Sequence, residues 1–374
     1  MEVSAYNKAG AVVEDAGRVM SFAMRIIGKL YGGSSTRPSL DSLLAVFDKE
    51  LENFQNLITP AAESKPRSPF DSPELAEEKL SLANMSPAQL LRVLAIMLPL
   101  MVQMRASSRM YDGSLQQERA EATPDFFDRL ERSARAAGAK DIKYVKVPRH
   151  AIFQHKGIPH EFAIVFTVEM DQENLSTAPS YTAFREVARG YKNLAVIGNR
   201  LARFIRRSGF AAYPGTALGG ITDYVHLGEL AGLGAIGYHG MLITPGEGAR
   251  LRINTIYTNI TNLPIQTGNE HLWIRDFCAM CGKCTRVCPV DAIFQQPRPR
   301  GDGGMQCIDQ AACRDYFNQS FGCAVCLAAC PFSRVGYDVL QERFKGNLDA
   351  PQFIIHVPGI STGSRAGKEF CVDN

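Results

Sequence analysis

FCAMCGKCTRVCPV, Phe277 to Val290, decides the reading of this chain. Cys278, Cys281 and Cys284 are spaced Cys-x2-Cys-x2-Cys, and Cys288 follows after three residues with Pro289 behind it. A second run, FGCAVCLAACPF (Phe321 to Phe332), repeats the grammar with Cys323, Cys326 and Cys330 before Pro331. Between them lies GMQCIDQAACRDYF, with Cys307 and Cys313. All 10 cysteines of the 374 residues fall between Cys278 and Cys371, so the chemistry they carry is confined to the C-terminal quarter.

The first run has the spacing of bacterial ferredoxins, in which three thiolates hold one [4Fe–4S] cluster and the fourth serves another. Two intervening residues make a tight turn that lets successive sulfurs converge, while the Cys-Pro step ends the turn and sends its sulfur elsewhere. Cys278, Cys281 and Cys284 therefore pair with Cys330, and Cys288 with Cys323 and Cys326. The second set needs one more thiolate, and Cys307 and Cys313 are the candidates. Structural zinc also uses Cys-x2-Cys pairs, but rarely two interleaved Cys-Pro ends. A disulfide framework suits small secreted chains, and MEVSAYNKAGAVVEDAG at the N-terminus has no charged n-region or apolar h-region. A cytoplasmic location without membrane contact is the expectation. The most apolar window, Leu90 to Met104, carries Arg92, Pro99 and Gln103 and reads as too short for a bilayer.

With 45% hydrophobic and 21% charged residues, the composition is that of a globular protein with a sizeable core. A net charge of +3 is too mild to argue for nucleic acid, which is an open but unfavoured partner. Helices are expected over Val13 to Leu30 and Leu40 to Leu57, followed by a Pro/Ser stretch from Thr59 to Pro69. Ser86 reads as an N-cap before Pro87, with Met97, Met101 and Met104 as core filling. A charged helix follows over Pro124 to Ala137, then a strand over Ile142 to Val147 and a hairpin over Ala151 to Met170 around Lys156 and Gly157.

Thr182 to Arg207 reads as one long helix, apolar on one face. Its other face carries Arg185, Arg189, Lys192, Arg200, Arg203, Arg206 and Arg207 against Glu186, either a solvated face or a patch for an anionic partner. Tyr213 to Gly248 then contains 10 glycines, the residue used where backbone must approach something closely. Gly232, Gly234 and Gly237 make a GxGxxG, but without a preceding strand it is a weak nucleotide signal. Leu251 to Ile260 alternates as a strand.

AGLGAIGYHGMLITPGEGARLRINTIYTNI, followed by the two cysteine runs, resembles the cobalamin and iron–sulfur reductases, which comprise reductive dehalogenases and epoxyqueuosine reductases. The likeness covers about residues 210 to 335. It implies an α+β fold: a nitroreductase-like sandwich core with N-terminal helices and a C-terminal ferredoxin-like module with two [4Fe-4S] clusters. The corresponding divisions are 1–140, 141–270, 271–340 and a C-terminal extension over 341–374. The resemblance also favours Cys307 as the eighth thiolate, because Ile308 follows it. It implies base-off cobalamin near Gly232, Gly234, Gly237, Gly240, Leu242, Thr244 and Gly248, the null being a tight turn without ligand.

The implied activity is reductive removal of a halide or oxygen from a small organic or nucleoside substrate, with electrons passed to cobalt from an external ferredoxin- or flavodoxin-like donor. The basic helix is a candidate docking face for that donor. Proton donors are sought among Tyr213, Asp223, Tyr224, His226, Tyr238 and His239, with Asp223, Tyr224 and Tyr238 ranked first. Tyr238, Gly246 and Asn259 stand where the family has a basic residue, Glu and Asp. Those departures keep two alternatives open: an electron-transfer or corrinoid-activating protein, and a reductase on this scaffold without corrinoid.

Overall fold

The computed structural model describes residues 49–67, 85–113, 119–301 and 304–344. The helix expected over Val13 to Leu30, the start of that over Leu40 to Leu57, and Cys371 lie outside them. Within the described part, the second of these helices does not run to Leu57. It ends in a 3-10 turn at Leu51–Asn53, and Phe54 is extended, its ring 5.2 Å from that of Tyr213. Ile58 then bridges Ile158, so aromatic packing and a strand-like bridge replace the last helical turn.

A four-stranded antiparallel sheet forms the centre, in the order β1 (Ile142–Lys146), β2 (Phe162–Glu169), β6 (Leu251–Thr258), β3 (Ala212–Pro214). β2 is buried on both faces, which is why FAIVFTVE reads as a nearly unbroken apolar run. Ile164, Phe166 and Val168 point into one core and Ala163 and Val165 into the other, the period-2 alternation of a strand. The hairpin expected within Ala151 to Met170 is not formed. β2 pairs instead with β1, with Ile142 opposite Phe166, because residues 149–158 are engaged elsewhere: a 3-10 turn at Arg149–Ala151, a bridge from Ile152 to Thr222 and the one from Ile158.

One sheet face is covered by α4 (Tyr181–Arg207), the long helix expected from its apolar stripe; α3 (Gln172–Ser176) precedes it. Ser180 caps α4 by accepting from the Ala183 N–H, and Gly198 lets it settle against Phe166 and Asn254. Leu194 and Leu201 are fully buried there, each stabilising the fold by about 1.5–3 kcal/mol. Outside α4 lie α1 (Pro87–Ser108) and α2 (Pro124–Ala137). α1 starts at the expected N-cap, Ser86, which forms a capping box: Ser86 accepts from Gln89 N–H and the Gln89 side chain accepts in return. It is 22 residues long rather than ending at Met104, so it has the length and apolar character to cross a membrane. Its inner face packs on α4: Met101 and Met104 are core residues, Ser107 donates to Asn199, and Asn199 donates to the Gln103 carbonyl.

The opposite sheet face carries α5 (Tyr224–Leu230) and the glycine-rich hairpin of β4 (Ala235–Ile236) and β5 (Leu242–Ile243). The cysteine region follows as α6 (Trp273–Cys281), α7 (Lys283–Arg286), the ribbon of β7 (Ile293–Pro299) and β8 (Met305–Ile308), then α8 (Gln310–Gln319), α9 (Val325–Ala329), α10 (Pro331–Arg334) and α11 (Tyr337–Phe344). Arg250 ties this region to the sheet: it donates to Glu169, to the Met170 carbonyl and to the Ser333 carbonyl beside the second Cys-Pro turn.

Candidate metal centre

The two turns of the first run are set by glycine and helix ends. α6 delivers Cys278 and Cys281, Gly282 at φ 53° reverses the chain, and α7 delivers Cys284. Cys330 comes from the second run, and the four thiols line one hollow together with Phe277, Lys283, Pro331, Phe332 and His239. The hollow holds about 280 Å³ of atom-free space, part of it open to solvent. Backbone N–H groups donate to the sulfurs: Tyr238 to Cys278, Lys283 to Cys281, Thr285 to Cys284 and Phe332 to Cys330. Burial pushes all four thiols up, Cys284 to about 11.

Cys288, Cys323 and Cys326 gather beside this hollow, as the Cys-Pro crossing requires, with Ala292 N–H donating to the Cys288 sulfur at 3.2 Å. Cys313 lies beside these three, whereas Cys307, the residue the resemblance favours, stands apart from them in β8. Cys313 feels the charges of Cys323 and Cys288, and Cys326 those of Cys323, Cys313 and Cys288. The reason is local. Asp309 caps α8 by accepting from Ala311 and Ala312 N–H, and the first turn of that helix lifts Cys313 toward the second run. Cys307 is fixed one element earlier, in β8, where its side chain meets Gly240 and its sulfur accepts from the Gly240 N–H.

Cys326 also neighbours Cys284, so the two sets adjoin. Cys278, Cys284 and Cys330 are buried, whereas Cys288, Cys313, Cys323 and Cys326 are partly exposed. Among the described residues no three His, Cys, Asp or Glu side chains converge closely enough for a single ion. Cys278, Cys281, Cys284 and Cys330 instead line a common hollow.

The glycines expected to touch a corrin are brought together in the β4–β5 hairpin, but most of their missing side chains make room for the chain itself. A Cβ on Gly234 would lie 1.9 Å from the Ile243 carbonyl oxygen, on Gly248 2.3 Å from that of Phe332, and on Gly237 2.6 Å from Ile243 Cδ1. Leu242 and Thr244 are buried, Leu242 in the core beneath the sheet. Gly232 and Gly240 have looser surroundings. Glu229 locks the hairpin to the cluster helix, accepting from Ile236 N–H at 2.8 Å and from Arg275 at 2.6 Å.

The three proton-donor candidates are not equivalent. Asp223 caps α5, accepting from His226 N–H, and is ion-paired with Lys65 and, at 3.7 Å, with Arg300. Burial pushes its carboxyl up, but Lys65 outweighs burial and holds it below the usual range, so it is a carboxylate at neutral pH. Tyr224 fills the space that Gly215 and Gly220 leave open, and burial raises its hydroxyl to about 12. Tyr238 lies apart from both, against Cys278 and Cys307. Tyr213 is core, its ring tilted against that of Tyr111 at 5.3 Å, and His226 faces His150 at 3.4 Å between ring nitrogens. Lys65 and Arg300 escaped the sequence reading, since neither stands in a periodic element or a motif.

The pattern of the 4Fe-4S binding domain matches residues 271–294. A tetrachloroethene reductive dehalogenase of Desulfitobacterium hafniense is 30% identical over 209 residues, 51% of this chain and 37% of that protein. Its counterpart from Sulfurospirillum multivorans is 33% identical over 206 residues, 52% and 40% of the two chains. An epoxyqueuosine reductase of Cyclobacterium marinum is 29% identical over 130 residues, 32% of this chain and 39% of the other. A solved reductive dehalogenase, described as revealing B12-dependent dehalogenation, superposes with a TM-score of 0.59 at 18% identity over 85% of this chain and 51% of its own. The chain thus spans about 30–41% of the length of the curated relatives it matches. By sequence, this chain is a relative of the reductive dehalogenases and the epoxyqueuosine reductases, and it shares the fold of the former.

Proposed function

We propose that the chain is an iron–sulfur oxidoreductase that passes electrons through two [4Fe-4S] clusters to reduce a small organic or nucleoside substrate, removing a halide or an oxygen. The observation that carries this reading is the pair of adjoining four-thiol sets, the first with three of its thiols buried and only Cys281 partly exposed, the second partly exposed throughout. Electrons would enter at Cys288, Cys313, Cys323 and Cys326 and move inward to Cys278, Cys281, Cys284 and Cys330. Each set fits a cubane: four cysteines at ferredoxin spacing, with backbone donors aimed at the sulfurs.

Cleaving a carbon–halogen bond consumes an electron pair and a proton and releases halide. Tyr224 is the residue assigned to that proton, because burial keeps its hydroxyl protonated well above neutrality. Asp223 anchors the start of α5 through Lys65 and Arg300 and so positions Tyr224, while Tyr238 belongs to the wall between the clusters and the hairpin.

Cobalamin, the nitroreductase-like form of the sandwich and a cytoplasmic location belong to this proposal through the resemblance. A corrinoid would supply a low-potential cobalt centre between the clusters and the substrate. The hairpin glycines do not fit as its cradle, since Gly234, Gly237 and Gly248 are filled by the chain's own atoms, so no step here runs through it. That closed hairpin favours a second reading, a reductase on the same scaffold without corrinoid. Anaerobic purification from cobalamin-supplied cells, with metal analysis, separates the two. About eight iron and one cobalt per chain, the content of two cubanes and one corrinoid, support the first. Iron alone supports the second, and a folded chain without iron removes both.

A further inference from the structure

The hollow of the first thiol set has a polar group in its wall that is not a thiol. His239 is 3% exposed and lines the hollow with Cys278, Cys281, Cys284 and Cys330. Its Nδ1 accepts a hydrogen bond from the Met241 N–H at 3.1 Å, which leaves the ring proton on Nε2. That Nε2 is buried and has no hydrogen-bond partner among the protein's atoms. Buried donors are almost always satisfied, and an apolar side chain would fill the same place without the cost of an unmade bond.

The backbone is shaped around this ring. Gly237 has no side chain where a Cβ would stand 3.2 Å from His239 Cε1, and the turn closes through Gly240 N–H to the Gly237 carbonyl at 2.8 Å. The ring is therefore held in one orientation by its own hairpin, whatever occupies the hollow.

We infer that the Nε2–H of His239 donates a hydrogen bond to the cluster bound by Cys278, Cys281, Cys284 and Cys330, and that this bond raises the cluster's reduction potential. The inference rests on the proposed cluster reading. A donor aimed at cluster or cysteine sulfur stabilises the more negative, reduced form, and such bonds are among the levers that set cluster potentials. Raising the inner cluster makes transfer from the outer set run downhill. His239 is in this view a tuning residue, with no part in the proton chemistry at the substrate.

The test uses the full chain, loaded anaerobically with iron and sulfide, as wild type, His239→Leu and His239→Gln. Iron is counted first, and then the clusters are titrated potentiometrically with EPR detection. The expected result is an unchanged iron count, one midpoint moved to lower potential in His239→Leu, and most of that shift recovered in His239→Gln, which keeps an N–H donor. Pulsed EPR of the reduced wild type labelled with 15N-histidine should show a histidine nitrogen coupled to that cluster, absent in His239→Gln. Coincident midpoints in all three loaded chains, or no histidine coupling in the wild type, overturn the inference. A wild type that takes up no iron overturns the cluster reading itself, and the iron count shows this before any titration. If His239→Leu fails to load, the wild-type coupling decides.

Discussion

Single residues separate what the cysteine pattern announces from what only packing decides. Seven of the eight thiols are assigned from the Cys-x2-Cys turns and the Cys-Pro crossings, which are local geometry. The eighth was not legible: Cys307 and Cys313 are six residues apart in one loop, and the choice depends on β8 ending before Asp309 starts a new helix. Cys313→Ser should therefore cost the chain one cluster, lowering iron to about half, while Cys307→Ser leaves the iron content unchanged. Equal loss in both variants, measured by iron assay and EPR, would restore Cys307. Tyr224→Phe should keep both clusters and the fold, yet lower turnover by about 10²–10⁴-fold, the usual worth of a positioned proton donor. Undiminished turnover with an artificial reductant would move that role elsewhere.

Among elements, α4 shows the same division between pattern and context. Its existence follows from the apolar stripe, but the fate of its basic stripe does not. Arg189 is committed to Glu186 beneath it, and Arg206 reaches the Ala212 and Met110 carbonyls. At 27 residues the helix is about 40 Å long, and only its first turns meet the cysteine region, where Ala183 and Phe184 pack by Ala328 and Gly322. A donor that feeds the outer thiol set should therefore sense Arg185 and not Arg203. Stopped-flow reduction by a low-potential ferredoxin should slow several-fold in Arg185→Glu at low salt and stay unchanged in Arg203→Glu, the salt dependence marking an electrostatic effect. Equal rates in both would dissociate the helix from docking. The hairpin misjudged at Ala151 to Met170 failed for a related reason: its second half is the strand β2, but the first half is held away from it by bridges that Ile152 and Ile158 make to distant segments.

For the whole molecule, the cysteine region is a structural participant. Phe332, Phe277, Trp273 and Tyr337 form one aromatic core around the first thiol set, and Arg250 fastens that core to the sheet. Removing iron with a chelator should lower the melting temperature of the entire described body, and in wild type this should follow a single transition, because metal that binds only the folded chain stabilises it by mass action. A separate low-temperature step confined to the iron signal would show the cysteine region to be independent. The crossing of the two runs carries this further. Cys288 leaves the first loop for the outer set and Cys330 leaves the second for the inner, so each loop is stitched into both cubanes. Oxygen that destroys one cubane releases a strand of the clasp holding the other. Loss of one cubane should thus leave the other in place but less protected, so that the remaining four irons are lost to oxygen faster than the first four.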